Sequence, residues 1–320
     1  MEMSRRRTLA LLGGGTVLAA SAGAVGFLST RTPVRALAPW TAAGSYDDPR
    51  KQALSYALLA PNPHNRQPWL VDLRGTDGVR ILRDPAKRLP HTDPFDRQIT
   101  IGMGCFVELM VMAAAADGHG VALDLFPEGP DGPVADAVFA PGPGAPDPLF
   151  AAVLDRRSCK EPFEDRVPSE AALAAIARYA EIVAEPARVA ALRDLTWDAW
   201  LVEARTPRTQ LESVDLMRIG RSEIEANPDG IDLGGPFLET MSLVGLLSRE
   251  GQADPDSFET SETHRIYEEM LRATPAYPAL VTPGDAPEDR IAAGRSWVRA
   301  NLAATMAGLA FHPVSQALQE

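Results

Sequence analysis

From Ile101 to Ala116 the sequence is nearly all apolar, and a helix that is apolar on every side must be buried on every side. The rest of the chain therefore has to supply layers that cover it. A second Ala-rich stretch repeats the arrangement. Ile101-Gly102 opens the first helix, which continues through Ala113-Ala114-Ala115-Ala116 to Gly118 and Gly120 and then a strand. Ala293-Gly294 opens the other, which continues through Leu302-Ala303-Ala304 to Gly308-Leu309-Ala310 and then an extended segment. One buried helix in each half suggests a duplication. The expected fold is α+β, with two pseudo-symmetric halves that each place a mixed or antiparallel sheet between helices.

With 320 residues, 45% hydrophobic and 23% charged, the chain is globular and can bury a full core without disulfides or metals. The length suits one large or two modest domains. A formal charge of −12 argues against a nucleic-acid partner, since phosphate-backbone binding needs a basic surface. Cys105 and Cys159 are too few for a disulfide framework or a thiolate metal cage. They either pair once or are two small buried thiols. There is no Gly-x-Gly-x-x-Gly or Walker-type loop, so a Rossmann or P-loop nucleotide site is not expected. None of the five histidines has metal-site spacing.

The N-terminus carries a targeting signal. Ser4-Arg5-Arg6-Arg7 precedes a run from Thr8 to Thr30 with no charged side chain, and Ala36-Leu37-Ala38 is a small-x-small cleavage candidate. The paired Arg5-Arg6 after Ser4 resembles the twin-arginine export signal, which carries already folded proteins. Residues 1–38 are thus expected to engage the twin-arginine machinery and be removed, leaving a periplasmic protein. That removal takes away five arginines and one glutamate and leaves a charge of −16. An uncleaved N-terminal membrane anchor is the alternative, because the run is long enough to span.

Asp47-Asp48-Pro49 caps a short helix that Pro61 ends. Trp69–Leu73 and Val79–Leu82 form a hairpin, and Val121–Phe126 is a strand. Residues 127–148 hold seven prolines and four glycines around one strand-like run, Val134–Ala140. They are expected to link an N-terminal half, 39–126, to a C-terminal half, 149–320. In the second half helices are expected from Ser169 to Val183, Pro186 to Arg205 and Ile291 to Met306, with a strand from Tyr277 to Thr282. Residues 206–262 are polar, with turns at Asn227-Pro228-Asp229-Gly230 and Gly234-Gly235-Pro236 around short helices. So long a loop-rich insert points to a lid or binding loop.

Three motifs resemble the flavin-dependent nitroreductase family. Arg156-Arg157-Ser158-Cys159-Lys160-Glu161-Pro162-Phe163 with Val167-Pro168 is similar to that family's opening Arg-x-Ser-x-(Arg/Lys)-x-Phe run. Ala60-Pro61-Asn62-Pro63-His64-Asn65-Arg66-Gln67-Pro68-Trp69 resembles its Asn-x-Gln-Pro-Trp loop. Gly308-Leu309-Ala310-Phe311-His312-Pro313 resembles its Gly-Leu helix end and flavin-facing segment. In ordinary members the Arg-x-Ser motif comes first; here it begins the second half. That order resembles the Acg-like branch, in which a fused chain keeps one side of the site in each half and a long insert covers it.

The resemblance implies a nitroreductase-like fold, FMN as cofactor and a monomer with a single flavin site. Arg156, Arg157 and Ser158 would hold the FMN phosphate, which an arginine fork grips bidentately. Lys160 would stand near the pyrimidine end of the ring, where a cation raises the flavin potential. Asn62, His64, Asn65 and Gln67 would bond the ring edge or ribityl chain, with Phe311, His312 and Pro313 against the flavin. Related proteins also continue past the position of Gln319-Glu320 to a further phosphate-contacting basic residue.

Each motif also has a bland reading. Arg156-Arg157 can be a solvated pair at a domain entrance, and Asn65 and Gln67 can satisfy turn backbone before a strand. Two functions follow from the resemblance: an FMN-dependent oxidoreductase in which the flavin rather than a side chain is catalytic, or an exported flavin-sequestering or storage protein. The electron donor would be NAD(P)H or a membrane or periplasmic reductase.

Overall fold

In the computed structural model residues 30–142 and 144–318 are described. The run expected to direct export lies, as far as residue 29, outside the described residues. The helices α1 (Ala38–Ala42) and α2 (Pro49–Ala57) come first among the described residues. Asp48 caps α2 by accepting from the Arg50 amide, and Pro49 occupies its first turn. The strands β1 (Trp69–Arg74) and β2 (Gly78–Arg83) form the expected hairpin, with Trp69 opposite Arg83 and Arg74 opposite Gly78.

After the hairpin come α3 (Arg97–Ala116), β3 (His119–Leu125) and β4 (Ala135–Pro141). The four strands make one antiparallel sheet in the order β1-β2-β4-β3. The Pro/Gly-rich segment 127–148 is therefore not a linker leading out of the first half. Its strand-like run is an interior strand that buries Ala135, Ala137 and Phe139 in alternation. Pro127, Pro130 and Pro133 fall before the ladder and Pro141 at its end, where a missing donor does little harm.

The second half comprises α4 (Glu170–Ile176), β5 (Glu181–Val183), α5 (Pro186–Arg205), α6 (Pro207–Asp215), β6 (Met217–Ile219), α7 (Gly220–Ala226) and β7 (Ile231–Leu233). It continues with α8 (Pro236–Leu243), α9 (Arg249–Ala253), α10 (Phe258–Arg272), β8 (Tyr277–Ala279) and α11 (Pro287–Met306). Here β5 pairs antiparallel with β8, and β6 pairs parallel with β7. Among the described residues, then, the second half has two short ribbons and no counterpart of the four-stranded sheet. The helix expected over Ser169–Val183 stops at Ile176, and the β-branched pair Ile182-Val183 joins a strand instead. The insert 206–262 holds the expected short helices around its turns, and helix takes up more of it than a loop-rich reading allows.

The two apolar helices meet at the centre. By length and composition α3 could cross a membrane, but most of it is buried inside the body. It crosses α11 at Gly104 and Gly294, where a β-carbon on Gly104 would stand 2.3 Å from the Ile291 carbonyl oxygen and one on Gly294 1.9 Å from that of Ile101. The Cys105 thiol donates to the Gly294 carbonyl at 3.2 Å, and burial pushes that thiol up to about 12. One helical turn on, the fully buried Glu108 accepts from Arg295 at 2.5 Å and from Arg299. Core hydrophobics from both helices and the sheet close around this crossing. Both cysteines are free thiols.

Candidate functional site

Pro61 ends the α2 segment, and the chain turns through 62–68 with unusual backbone. His64, Asn65 and Gln67 all have positive φ, at 46°, 48° and 51°. For non-glycine residues each such conformation costs on the order of 1–3 kcal/mol and persists only where its surroundings impose it. Asn62 imposes part of it: its Oδ1 accepts from the Gln67 amide at 2.7 Å and its Nδ2 donates to Ala60 O at 3.1 Å. The loop also lies hard against α3, since a β-carbon on Gly102 would come within 3.0 Å of Asn62 Cβ. Asn62 thus satisfies the turn backbone, the role that the bland reading gave to Asn65 and Gln67.

Its neighbours point at the insert. Asn65 Nδ2 and Gln67 Nε2 both donate to the Pro228 carbonyl, at 3.2 and 2.8 Å, and Gly230 N donates to Asn65 O at 3.1 Å. Arg66 is buried and pairs with Asp229 at 2.9 Å, and Lys87 and Arg218 reach the same carboxylate. Burial pushes Asp229 up, but the hydrogen bonds from Lys87 and Arg218 outweigh it and hold the carboxyl below its usual range. His64 Nε2 lies 3.4 Å from Ser213 Oγ on α6, and its Nδ1 is buried without a partner. Burial pulls this imidazole down to about 4, so it is neutral at neutral pH.

From the second half, the two arginines part company. Arg156 is only 5% exposed and donates to Leu59 O at 3.0 Å and Asn301 Oδ1 at 3.3 Å. Its Nε is buried without a partner, and burial lowers its pKa to about 10. Arg157 is exposed, lies 4.7 Å over the Trp40 ring and donates to the Leu154 and Arg156 carbonyls. The solvated-pair reading therefore suits Arg157 and not Arg156. Ser158 and Pro313 are exposed. Lys160 is also exposed, with Nζ 3.5 Å from Asp232 O.

The third motif folds back onto the second. Cys159 N donates to Phe311 O at 2.8 Å, and His312 Nδ1 bonds Cys159 O and so carries the proton there. Phe311 is buried and packs edge-on against Trp297, with ring centres 5.3 Å apart. Burial lowers the His312 pKa, against the pull of its bond to Cys159.

All three motifs are thereby joined. Arg156 ties the second to Leu59, just before the first, and the insert touches both, at Pro228 and Asp229 on one side and Asp232 on the other. Arg66, Lys87, Arg218 and Asp229 were not singled out from the sequence as site residues. Only the turn around Asp229 was visible there, and a turn signal says nothing of what it docks against. A cleft of about 610 Å³ lies elsewhere, between Tyr179, Ile182, Leu280, Thr282 and Ser296, and none of the expected site residues lines it. Among the described residues no group of three or more His, Cys, Asp or Glu side chains could hold a metal ion.

Arg156 fits an anionic group. Burying a guanidinium costs several kcal/mol unless an opposite charge meets it (on the order of 3–5 kcal/mol when a partner is removed), and its partners here are neutral. The adjacent Cys105 is kept as the neutral thiol. No model of a known protein family matches the chain. No curated protein matches it either.

Proposed function

We propose that the chain is an FMN-dependent oxidoreductase of the nitroreductase type, exported by the twin-arginine route, with a single flavin site shared between two halves of nitroreductase-like ancestry. The observation that carries this reading is Arg156, a buried cation with an orphaned Nε at the start of the motif that resembles the family's phosphate-binding run. Two further features support it. Segments from both halves converge on it, and the contact of Gly104 with Gly294 is reciprocal, as expected where two copies of one helix meet about a local two-fold axis.

FMN, when bound, supplies the hydride and electron transfer. Arg156 would hold its phosphate. Lys160, exposed and tied only to a carbonyl, can swing toward the ring. Phe311 would shield one side from water. His64 and His312, both neutral at neutral pH, would act as hydrogen-bonding groups and not as charges.

A storage role has one specific observation in its favour. The insert already takes up the side-chain donors of Asn65 and Gln67, as a segment that covers a stored flavin would. Stopped-flow mixing of the FMN-loaded chain with NADPH separates the two. Rapid bleaching of the flavin supports the oxidoreductase, and an inert holoprotein that also resists dithionite-linked acceptors supports storage. If the purified chain binds no FMN at all, both readings fall.

A further inference from the structure

The contacts around Asp229 amount to more than a fastening. Arg66 comes from the loop 62–68, Lys87 from the short turn after β2 and Arg218 from β6. All three end on this one carboxylate, at 2.9, 2.6 and 3.0 Å. Their side chains are 10%, 31% and 14% exposed, and that of Asp229 13%. Three positive charges facing one negative charge leave an excess of two where water screens poorly and charge imbalance counts for more. The chain as a whole is acidic, at −12, so this excess is not a by-product of general basicity.

The carboxylate is carried on a turn built to present it. Gly230 has a φ of +89°, and a β-carbon there would stand 2.3 Å from Leu216 O, so only glycine suits the position. Beside the carboxylate, the Pro228 carbonyl takes both amide donors of Asn65 and Gln67. The turn thus offers the other half of the chain one anion and one neutral acceptor. A ligand with a charged group and a polar edge would offer the same.

We propose that Arg66, Lys87 and Arg218 form a binding site for a phosphate-class dianion, and that Asp229 fills it until such a ligand displaces the carboxylate. A phosphate monoester carries close to two negative charges and three acceptor oxygens, which matches the charge excess and the three converging donors better than one carboxylate does. This site is separate from Arg156 and does not depend on the flavin assignment. Because the proposed function gives the FMN phosphate to Arg156, the natural occupant here is a phosphate on a second ligand, such as a nucleotide electron donor.

The test uses inorganic phosphate on the full chain, with chloride at matched ionic strength as the control. Asp229→Asn should lower the thermal midpoint, and millimolar phosphate should restore several degrees of it while shifting the unsubstituted chain less. Phosphate should bind Asp229→Asn at least about tenfold more tightly, because no internal anion competes. Adding Lys87→Ala to that variant should abolish the rescue. Equal phosphate shifts in both proteins, a shift matched by chloride, or a rescue that survives Lys87→Ala would each overturn the proposal. If Asp229→Asn alone is unfolded, folding on addition of phosphate but not chloride is the same rescue, and failure to fold with either overturns it. Titrations of FMN and NADPH then identify the occupant as the one whose affinity rises in Asp229→Asn. Phosphate rescue in a protein that binds no FMN leaves this site standing and removes the proposed function.

Discussion

Gly104 on α3 and Gly294 on α11 stand in each other's way, and each faces the carbonyl oxygen of the residue three positions before the other. The crossing is therefore as close as two backbones allow, and any side chain at either glycine meets main chain that cannot rotate aside. Gly294→Ala should cost toward the upper end of the ~1–3 kcal/mol typical of overpacking, with Gly104→Ala close behind. Gly120→Ala is the control, since no atom lies within 4 Å of its would-be β-carbon; it should stay within about 0.5 kcal/mol. Urea midpoints of the three variants check this, and a Gly294→Ala protein as stable as Gly120→Ala would refute the tight crossing.

Glu108 fastens the same helix pair from inside. Its carboxylate is fully buried, while Arg295 and Arg299 retain 37% and 28% of their side-chain exposure. Glu108→Gln keeps the shape and removes the charge that both arginines face. The expected loss is about 2–4 kcal/mol, somewhat below the penalty for a wholly buried pair because the arginines keep contact with water. Denaturant unfolding decides it, and a loss under half a kcal/mol would mean that the arginines find other partners.

His64 makes stability depend on pH. Its unfolded value is near 6.5 and its folded value about 4, so between these limits the unfolded chain binds a proton that the native chain refuses. Stability is fully present above pH 6.5 and is lost as the pH falls toward 4, by at most about 3 kcal/mol from this group. His64→Asn, which tolerates the left-handed backbone, should flatten that part of the profile relative to the unsubstituted protein. Unfolding midpoints at pH 7, 5.5 and 4.5 supply the comparison. Parallel profiles for the two proteins would show that His64 is accessible to protons in the folded state.

The sequence revealed elements better than it revealed their partners. The hairpin Trp69–Arg83 was legible because two apolar-rich runs flank the turn residues Gly75 to Gly78, α3 because few other arrangements accept so apolar a helix, and α11 because an Ala-rich stretch runs on to Gly308. Residues 127–148 misled, since a count of prolines and glycines does not register that they sit before the ladder, at its last pair or after it, and leave the interior of β4 intact. In the insert the turns and short helices are legible, but the three-residue strands β6 and β7 are too short to leave a pattern and pair with each other. In the site, the motif residues were legible one by one. Arg66 and Asp229 are 163 positions apart, and no local pattern announces such a pair. The burial that separates Arg156 from Arg157 is likewise a property of packing and not of their neighbours in the chain.

Arg156 gives the sharpest test of the flavin assignment. If its guanidinium meets the FMN phosphate, Arg156→Ala should weaken flavin binding by roughly 30- to 1000-fold, or about 2–4 kcal/mol for a charge-assisted bidentate contact. Arg156→Lys should recover only part of this, because an ammonium cannot reproduce the fork. Asn65→Ala removes a neutral donor in the other half, and if one site is shared it should cost on the order of 1 kcal/mol. The double variant measures the coupling between them, because both side chains would contact one ligand. A purely structural Arg156, held by Leu59 O and Asn301 alone, predicts instead a less stable protein with unchanged affinity in its folded fraction. Fluorescence titration with FMN, with circular dichroism and thermal midpoints on the same samples, separates these outcomes. Unchanged affinity in folded Arg156→Ala and Asn65→Ala removes the assignment.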